Sequence, residues 1–448
     1  MMRTIREMAK PLPGLLGCQR LTPGEPYRLL HFVVQQPVDE GLLLYNVLTK
    51  AVVVLDPEEA RLLAADPASV PGLVESWFVV PQSHDDRRLA QEVRAVARML
   101  QPPVRRIAVY TILTTTDCNA RCFYCYEKGR SQIPMRDETA VATAAYIVRH
   151  AGGKKVRLNW FGGEPLYNKG VITRICKLLE EAGVPYKSAI TSNGFLFDPP
   201  TIAEAVSLWH LKQVQITLDG TEPVYNRVKH YREPGESPFR RVLDNIRALS
   251  EAGVSVCIRF NVDRYNVEDL FALAEQLGAA FGSDPRVTVY THTLFEDGSG
   301  GVGILRRSED ERRALYEQQM RLRERLSALG LARPVRFDHT IHINGCISDN
   351  DASVIVLPDG RLGKCEHYTE SGTFGHVSEP GQDESVIAAF KELRPEVDAC
   401  GTCPVYPDCF RLVKCDVVAN CYPEDRAEKL QRAHLQSLSA YQHERVQD

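Results

Sequence analysis

The first chemistry this chain offers lies in Thr116-Asp117-Cys118-Asn119-Ala120-Arg121-Cys122-Phe123-Tyr124-Cys125-Tyr126, where three cysteines stand at the spacing C-x3-C-x2-C with an aromatic residue before the third. Three thiolates from one short loop can hold one small inorganic core. A cubane iron–sulfur cluster has four irons and is normally closed by four Cys thiolates, so a set of three leaves one iron for another ligand. The same residues also suit a structural zinc knuckle, or are three unrelated thiols in a reducing compartment. A second concentration of thiols comes late: seven of the 13 cysteines fall between Cys346 and Cys421. Cys18, Cys176 and Cys257 stand alone and read as buried or incidental small hydrophobes.

The chain that must position these groups has 448 residues, long enough for two or three domains. Its net charge of -4 gives no support for binding nucleic acid or an anionic membrane. Met1-Met2-Arg3-Thr4-Ile5-Arg6-Glu7 is not followed by an apolar h-region, and the chain has no apolar run long enough to span a bilayer. A cytoplasmic protein is expected. There, cysteines more often ligate metal than pair as disulfides.

Residues 1–104 read as a separate small α/β module. Strands are expected over Tyr27–Val34, Leu42–Leu48 and Ala51–Leu55, and a helix capped by Asp56 with Pro57 in its first turn. A second helix spans Asp85–Leu100, and Gln101-Pro102-Pro103 closes the module. Over residues 105–305, strands (Ile107–Leu113, Lys155–Phe161, Tyr186–Thr191, Gln213–Leu218, Val254–Val262, Arg286–Tyr290) alternate with helices (Arg136–His150, Lys169–Ala182, Pro200–Leu208, Phe239–Ala252, Val267–Leu277). Six strands joined by helices imply parallel pairing with right-handed crossovers, which gathers ligands at the C-terminal strand ends. Residues 306–339 form a linker, with a bridging helix over Arg306–Leu329 whose stripe is Leu315, Met320, Leu322, Leu326 and Leu329. Residues 340–448 are the Cys-rich region, in which Asn344-Gly345 and Asp359-Gly360 supply turns and Ala352–Leu357 with Arg361–Lys364 make a hairpin.

At Cys118, Cys122 and Cys125 the sequence resembles the radical S-adenosylmethionine (SAM) enzymes, built on an open (β/α)6 partial barrel. The resemblance implies a 4Fe–4S cluster whose fourth iron is chelated by SAM, and reductive cleavage of SAM to a 5'-deoxyadenosyl radical. Gly162-Gly163-Glu164-Pro165 matches the family's GGEP element, which contacts the SAM amino group. Two glycines let backbone approach a ligand closely, and the carboxylate can accept from an ammonium. Ser192 and Asn193 in Thr191-Ser192-Asn193-Gly194 resemble a T-N-G turn near the ribose. Gln215-Ile216-Thr217-Leu218-Asp219-Gly220 is similar to an S-L-D-G element. By this resemblance Thr217 and Arg232 hold the SAM carboxylate, Arg259 and Asn261 do similar work, and Tyr124 is a cofactor neighbour.

The late cysteines resemble a SPASM domain, which holds two auxiliary 4Fe–4S clusters. Transferred by order, Cys400, Cys403, Cys409 and Cys421 close the outer cluster, and Cys346, Cys365 and Cys415 hold the inner one with one iron open or closed by another ligand. Five residues separate Cys409 from Cys415, where the family usually has three. Zinc stays open as an alternative, since Cys400-x2-Cys403 is a common half-site. Glu366 follows a ligand at the position where sulfatase-maturing relatives carry an Asp base, with His367 and Tyr368 beside it.

The combined expectation is a partial (β/α)6 barrel between a winged-helix-like N-terminal peptide-recognition module and a SPASM domain. The function implied is a radical SAM maturase that cross-links a ribosomally made precursor peptide, first by a thioether, after capturing its leader peptide by strand addition. A flavodoxin- or ferredoxin-type donor would supply electrons. The alternatives are an anaerobic sulfatase-maturing (formylglycine-forming) enzyme and a non-catalytic iron–sulfur protein that binds peptide or transfers electrons.

Overall fold

The computed structural model describes residues 2–100, 104, 106–127, 131–294, 307–341, 346–367, 372–409, 413–415 and 421–445. Gln101-Pro102-Pro103, Arg306, Asn344-Gly345 and Tyr368 lie outside them.

The N-terminal strands are β1 (Arg3–Arg6), β2 (Tyr27–Leu29), β3 (Val33–Val38), β4 (Gly41–Asn46), β5 (Val52–Leu55) and β6 (Val79–Pro81), accompanied by α1 (Leu12–Leu16), α2 (Pro57–Ala65) and α3 (Asp86–Met99). An antiparallel sheet runs β1-β5-β4-β3, and β2 pairs separately with β6. The expected single strand Tyr27–Val34 is therefore two strands in two sheets. Its break comes from Asp86, which accepts the His31 N–H at 2.8 Å and pairs with Arg28 at 2.7 Å, while the Val33 N–H turns back to the Leu30 carbonyl. α2 opens on Asp56, which accepts from the N–H groups of Glu58 and Glu59, and the Glu59 carboxylate answers to the Asp56 N–H.

Six parallel strands follow: β7 (Val109–Thr115), β8 (Val156–Gly162), β9 (Tyr186–Ser192), β10 (Leu211–Thr217), β11 (Ser255–Val262) and β12 (Val287–Thr293). Helices α4 (Asp137–His150), α5 (Lys169–Glu181), α6 (Pro199–Ser207), α7 (Glu222–Lys229), α8 (Pro238–Glu251) and α9 (Val267–Phe281) link them. α7 was not expected; it is short and polar, with little apolar periodicity to announce it. Alternation divides the strands into two faces. Tyr110, Ile112, Leu158, Trp160, Val214, Ile216, Val256 and Ile258 pack into the main core with the helices. The opposite face carries polar side chains instead, including Thr111, Asn159 and Gln215.

α10 (Glu309–Ala328) buries Leu315, Leu322 and Leu326 of its expected stripe. Gln319, rather than Met320, takes a core position, because its amide answers Thr291 at 3.0 Å and Thr293 at 2.9 Å. The C-terminal hairpin, β13 (Ser353–Val356) and β14 (Arg361–Gly363), then β15 (Thr373–His376), does not stand apart. β13 pairs in parallel with β7, giving one sheet of order β12-β11-β10-β9-β8-β7-β13-β14-β15. After α11 (Glu384–Ala389), the last helix α12 (Pro423–Arg445) lies against the N-terminal sheet. Ala433, Ala440 and Tyr441 share an apolar cluster with Phe32, Val34 and Tyr45, and Cys403, Val405 and Tyr406 join it. Buried Lys50 meets the partly exposed Asp408 carboxylate at 2.6 Å and fastens the same contact.

Candidate active site

β7 runs straight into the first cysteine loop, so Cys118, Cys122 and Cys125 sit at the C-terminal end of the parallel sheet. Asp117 organises the loop: its carboxylate accepts the Cys118 N–H at 2.8 Å and meets Arg121 and Arg232, each at 3.3 Å. Arg232 thus stands exposed on the outside of the loop. The Gly163 N–H donates to the Thr115 carbonyl and the Glu164 N–H to the Asp117 carbonyl, both at 3.0 Å.

The two glycines act on the chain itself. Gly162 has φ +123°, and a Cβ there would lie 2.1 Å from the Thr115 oxygen; at Gly163 it would lie 2.4 Å from the Asp117 oxygen. Their smallness lets the turn press against the backbone of the cysteine loop, rather than only opening space for a ligand.

Glu164 is fully buried. It accepts from Ser192 Oγ at 2.9 Å, the Asn193 N–H at 2.8 Å and the Leu166 N–H at 3.1 Å. Burial outweighs these bonds and pushes its carboxyl up to about 7. Ser192 spends its hydroxyl on Glu164. Asn193 donates to Asn119 Oδ1 at 2.7 Å and so reaches back to the cysteine loop. Pro165 is buried, its carbonyl taken by Thr114. Thr217 and Arg259 are register partners at the ends of β10 and β11.

A buried ion pair that the residue pattern had not signalled lies beneath the loop. Asp219 and Lys229, with side chains 0% and 3% exposed, meet at 2.9 Å. The Tyr124 hydroxyl joins them, donating to Asp219 at 2.7 Å and accepting from Lys229 at 3.1 Å. Burial pulls the Lys229 ammonium down, but Asp219 and the surrounding acidic groups outweigh it and hold it well above its ordinary value. The Lys229 carbonyl also takes the Arg121 N–H at 2.9 Å. Asp219 was legible as part of a motif; a lysine inside a mixed polar helix gave no signal.

Burial pushes all three thiols of the loop up, Cys125 to about 11, and the neighbouring thiols raise Cys118 further. They ionise readily only once a cationic core balances them. Among the described residues no three His, Cys, Asp or Glu side chains converge as for a single metal ion. On the same rim, Asp219 Oδ1, Asn261 Oδ1, Arg259 Nε and Asn119 Nδ2 are buried with no hydrogen-bond partner. Buried polar atoms of this kind cost free energy until a ligand satisfies them. Three thiols beside several unmet polar atoms fit a thiolate-held cluster with a polar ligand at its open side.

The late cysteines fall into two neighbourhoods. Burial raises Cys365 to about 12, with Cys346 and Cys415 close enough to raise it further. Cys403 is raised by burial and then by Cys409 and Cys421. Cys400 precedes Cys403 in one tight turn. Lys429 donates to Cys409 Sγ at 3.2 Å. Glu366 lines a cavity of about 260 Å³ on the polar face of the sheet with Thr111, Asn159 and Gln215, while the His367 ring packs at a tilt against Tyr126. Of the lone cysteines, Cys176 and Cys257 are buried and Cys18 is exposed.

A parallel α/β sheet carrying a three-cysteine loop and polar groups at its C-terminal rim defines a cofactor-dependent enzyme scaffold. Residues 112–277 match the Radical SAM superfamily, and a domain of that kind implies SAM and a 4Fe–4S cluster. The chain is similar to the "GTP 3',8-cyclase" of Alkaliphilus metalliredigens, 28% identical over 305 residues, 64% of this chain and 90% of that protein. Its fold is similar to native anSMEcpe with bound AdoMet and Cp18Cys peptide (TM-score 0.56, 14% identity, 75% of this chain and 99% of that one). It is also similar to Streptococcus suis SuiB bound to precursor peptide SuiA (TM-score 0.50, 13% identity, 89% and 98%). Among the described residues no helix is long and apolar enough to cross a membrane.

Proposed function

We propose that this enzyme modifies a ribosomally made precursor peptide in the cytoplasm, closing a thioether or another side-chain-to-carbon cross-link. Bound SAM and its cluster would supply a 5'-deoxyadenosyl radical that takes a hydrogen atom from an unactivated carbon. The chain's own work is positional. Cys118, Cys122 and Cys125 hold the cluster; Asp117, Asn193 and the Lys229 carbonyl fix their loop; Glu164 offers the remaining lone pair of its carboxylate to an ammonium. Thr217, Arg259 and Asn261 face the rim where the rest of SAM would lie.

The observation that carries the peptide reading is the second set of thiols at the other end of the same polar face. Cys346 lines a cavity of about 400 Å³ together with Val109 and Arg157, the first residue of β7 and the second of β8. We assign Cys346, Cys365 and Cys415 to an inner auxiliary cluster, open to that cavity, and Cys400, Cys403, Cys409 and Cys421 to an outer one. Such clusters accept the electron that a substrate radical must lose. Glu366, on the adjoining cavity, is placed to take a substrate proton. The N-terminal module is the natural seat of a leader peptide, and a flavodoxin- or ferredoxin-type protein the natural donor; likeness to the SuiB fold over 89% of the chain supports this architecture. Formylglycine formation on a sulfatase would use the same parts.

A nucleotide substrate is the second reading, favoured by the similarity to GTP 3',8-cyclase over most of that protein's length. Against it, Arg157 is the only basic residue among the described residues lining the two cavities, and Glu366 opposes it. A triphosphate needs several cations.

The test is anaerobic: reconstitute with iron and sulfide, add SAM and dithionite, and quantify 5'-deoxyadenosine against a Cys118/Cys122/Cys125→Ala triple variant. Product that depends on those cysteines, together with roughly twelve irons per chain, is expected; about four irons per chain would remove the auxiliary clusters, and no product from fully loaded protein would refute the enzyme reading.

A further inference from the structure

Arg157 is the one charged side chain among the described residues lining the larger cavity, and it also lines the smaller. It stands second in β8, on the polar face, and is exposed within this chamber. Its Nε donates to Asn159 Oδ1 at 3.0 Å. Asn159 in turn reaches Thr111 Oγ1 at 3.4 Å, a weak contact. One bond through Nε fixes the guanidinium plane. Both terminal NH2 groups are left without a partner among the described residues, and no described acid pairs with this cation. A planar cation held by its inner nitrogen, with its outer edge free, is the geometry that receives a carboxylate through two parallel hydrogen bonds. Glu366 lines only the smaller cavity, so an acidic group is repelled there and drawn to the Cys346 side.

We propose that Arg157 is the substrate anchor: an Asp or Glu side chain of the peptide binds its guanidinium at the floor of the chamber, beside Cys346. This sets which peptide position lies next to the inner thiols, and it rests on the peptide reading above. The acid lies close to the peptide residue that meets the inner thiols, because Arg157 and Cys346 share one cavity of about 400 Å³, the size of a site for a few side chains.

The experiment uses the anaerobically reconstituted full chain and two acetylated, amidated pentapeptides, Gly-Cys-Ala-Asp-Gly and Gly-Cys-Ala-Asn-Gly, with binding followed by saturation-transfer NMR. The Asp peptide is expected to bind about tenfold more tightly than the Asn peptide, the worth of one charge-assisted pair. Arg157→Gln brings the ratio to about one, and Arg157→Lys keeps part of it. Equal affinities in the wild type, no binding of either peptide at millimolar concentration, a ratio that survives Arg157→Gln, or displacement of the Asp peptide by micromolar GTP would each overturn the proposal. Formation of 5'-deoxyadenosine in the same wild-type samples separates the two readings. Equal affinities with SAM cleavage intact remove the anchor alone. A tenfold ratio without any SAM cleavage keeps the anchor and removes the maturase.

Discussion

Replacing Lys229 by Met should damage the protein more than any other single change at the cluster loop. The side chain is 3% exposed and its carboxylate partner 0%, so neither charge is screened by water. Met keeps the length and most of the volume but withdraws the cation. Asp219 then holds only the Tyr124 hydroxyl, and its second oxygen already lacks a partner. Breaking a buried pair from one side costs about 3–5 kcal/mol, because the surviving charge is left desolvated. At about 2–4 °C per kcal/mol, the thermal midpoint of the iron-free protein should fall by roughly 6–20 °C. The double variant Lys229→Met/Asp219→Leu should recover most of that, since removing both charges removes the unpaired one. Calorimetry of the three proteins gives the cycle, and iron content after reconstitution reports whether the loop still forms. A drop under about 2 °C in Lys229→Met, or a double variant no better than the single, would refute the argument that this pair supports the loop.

Gly162→Ala should abolish iron incorporation and cost at least about 2–3 kcal/mol, since φ +123° is strained for any side chain and the new Cβ meets the Thr115 oxygen; soluble protein with full iron would contradict it. For Glu164, the folded carboxyl near pH 7 lies above its unfolded value, so its stabilising contribution is complete below about pH 4.5 and lost as pH rises through 7. His292 moves oppositely: burial, then Arg259, lowers it to about 4, giving stability that is present above pH 6.5 and lost as pH falls toward 4. In the iron-free wild type the two slopes offset, whereas Glu164→Gln should gain on the wild type by an amount of order 3 kcal/mol between pH 4.5 and 8, read from urea midpoints. Asp408→Asn should loosen α12 and the Cys403 turn from the N-terminal module, at about 1–3 kcal/mol after allowance for the partly exposed carboxylate, seen as faster proteolytic cleavage near residue 408.

Apart from α7, the order and type of the barrel elements were legible because the strands are largely apolar runs between turn signals and the other helices have a period near 3.6. Their ends moved by a few residues at most, as Val109–Thr115 against the expected Ile107–Leu113 shows. The Asp56 cap was readable to the residue, since its bonds are local. What could not be read depends on distant residues: the break at His31 is made by Asp86, 55 positions away, and the acceptance of Gln319 into the core depends on two threonines of β12. The site divides the same way. Cysteine spacing named the candidate ligands, but Lys229 and Asp117 act through contacts that only the folded chain brings together.

The parallel pairing of β13 with β7 explains why two thiol groups come to lie at opposite ends of one sheet. Val109 pairs with Ser353 and Ile112 with Val356, so both strands point toward the Cys118 loop. The chain before β13, which carries Cys346, must then lie at the opposite end. β14 runs back antiparallel, Gly363 pairing with Ile355, and returns Cys365 to the level of Cys346. One strand length, about 23 Å for seven residues at 3.3 Å each, therefore separates the Cys118 loop from the second group. The hydrogen-bonded lattice of a single sheet sets that separation, and no flexible linker intervenes. Inserting residues into β13 would shift Cys346 and Cys365 relative to Arg157 without touching the Cys118 loop. The Asp peptide's tenfold preference should vanish in such a variant while 5'-deoxyadenosine formation persists; loss of both together would show that the two ends are not independently positioned.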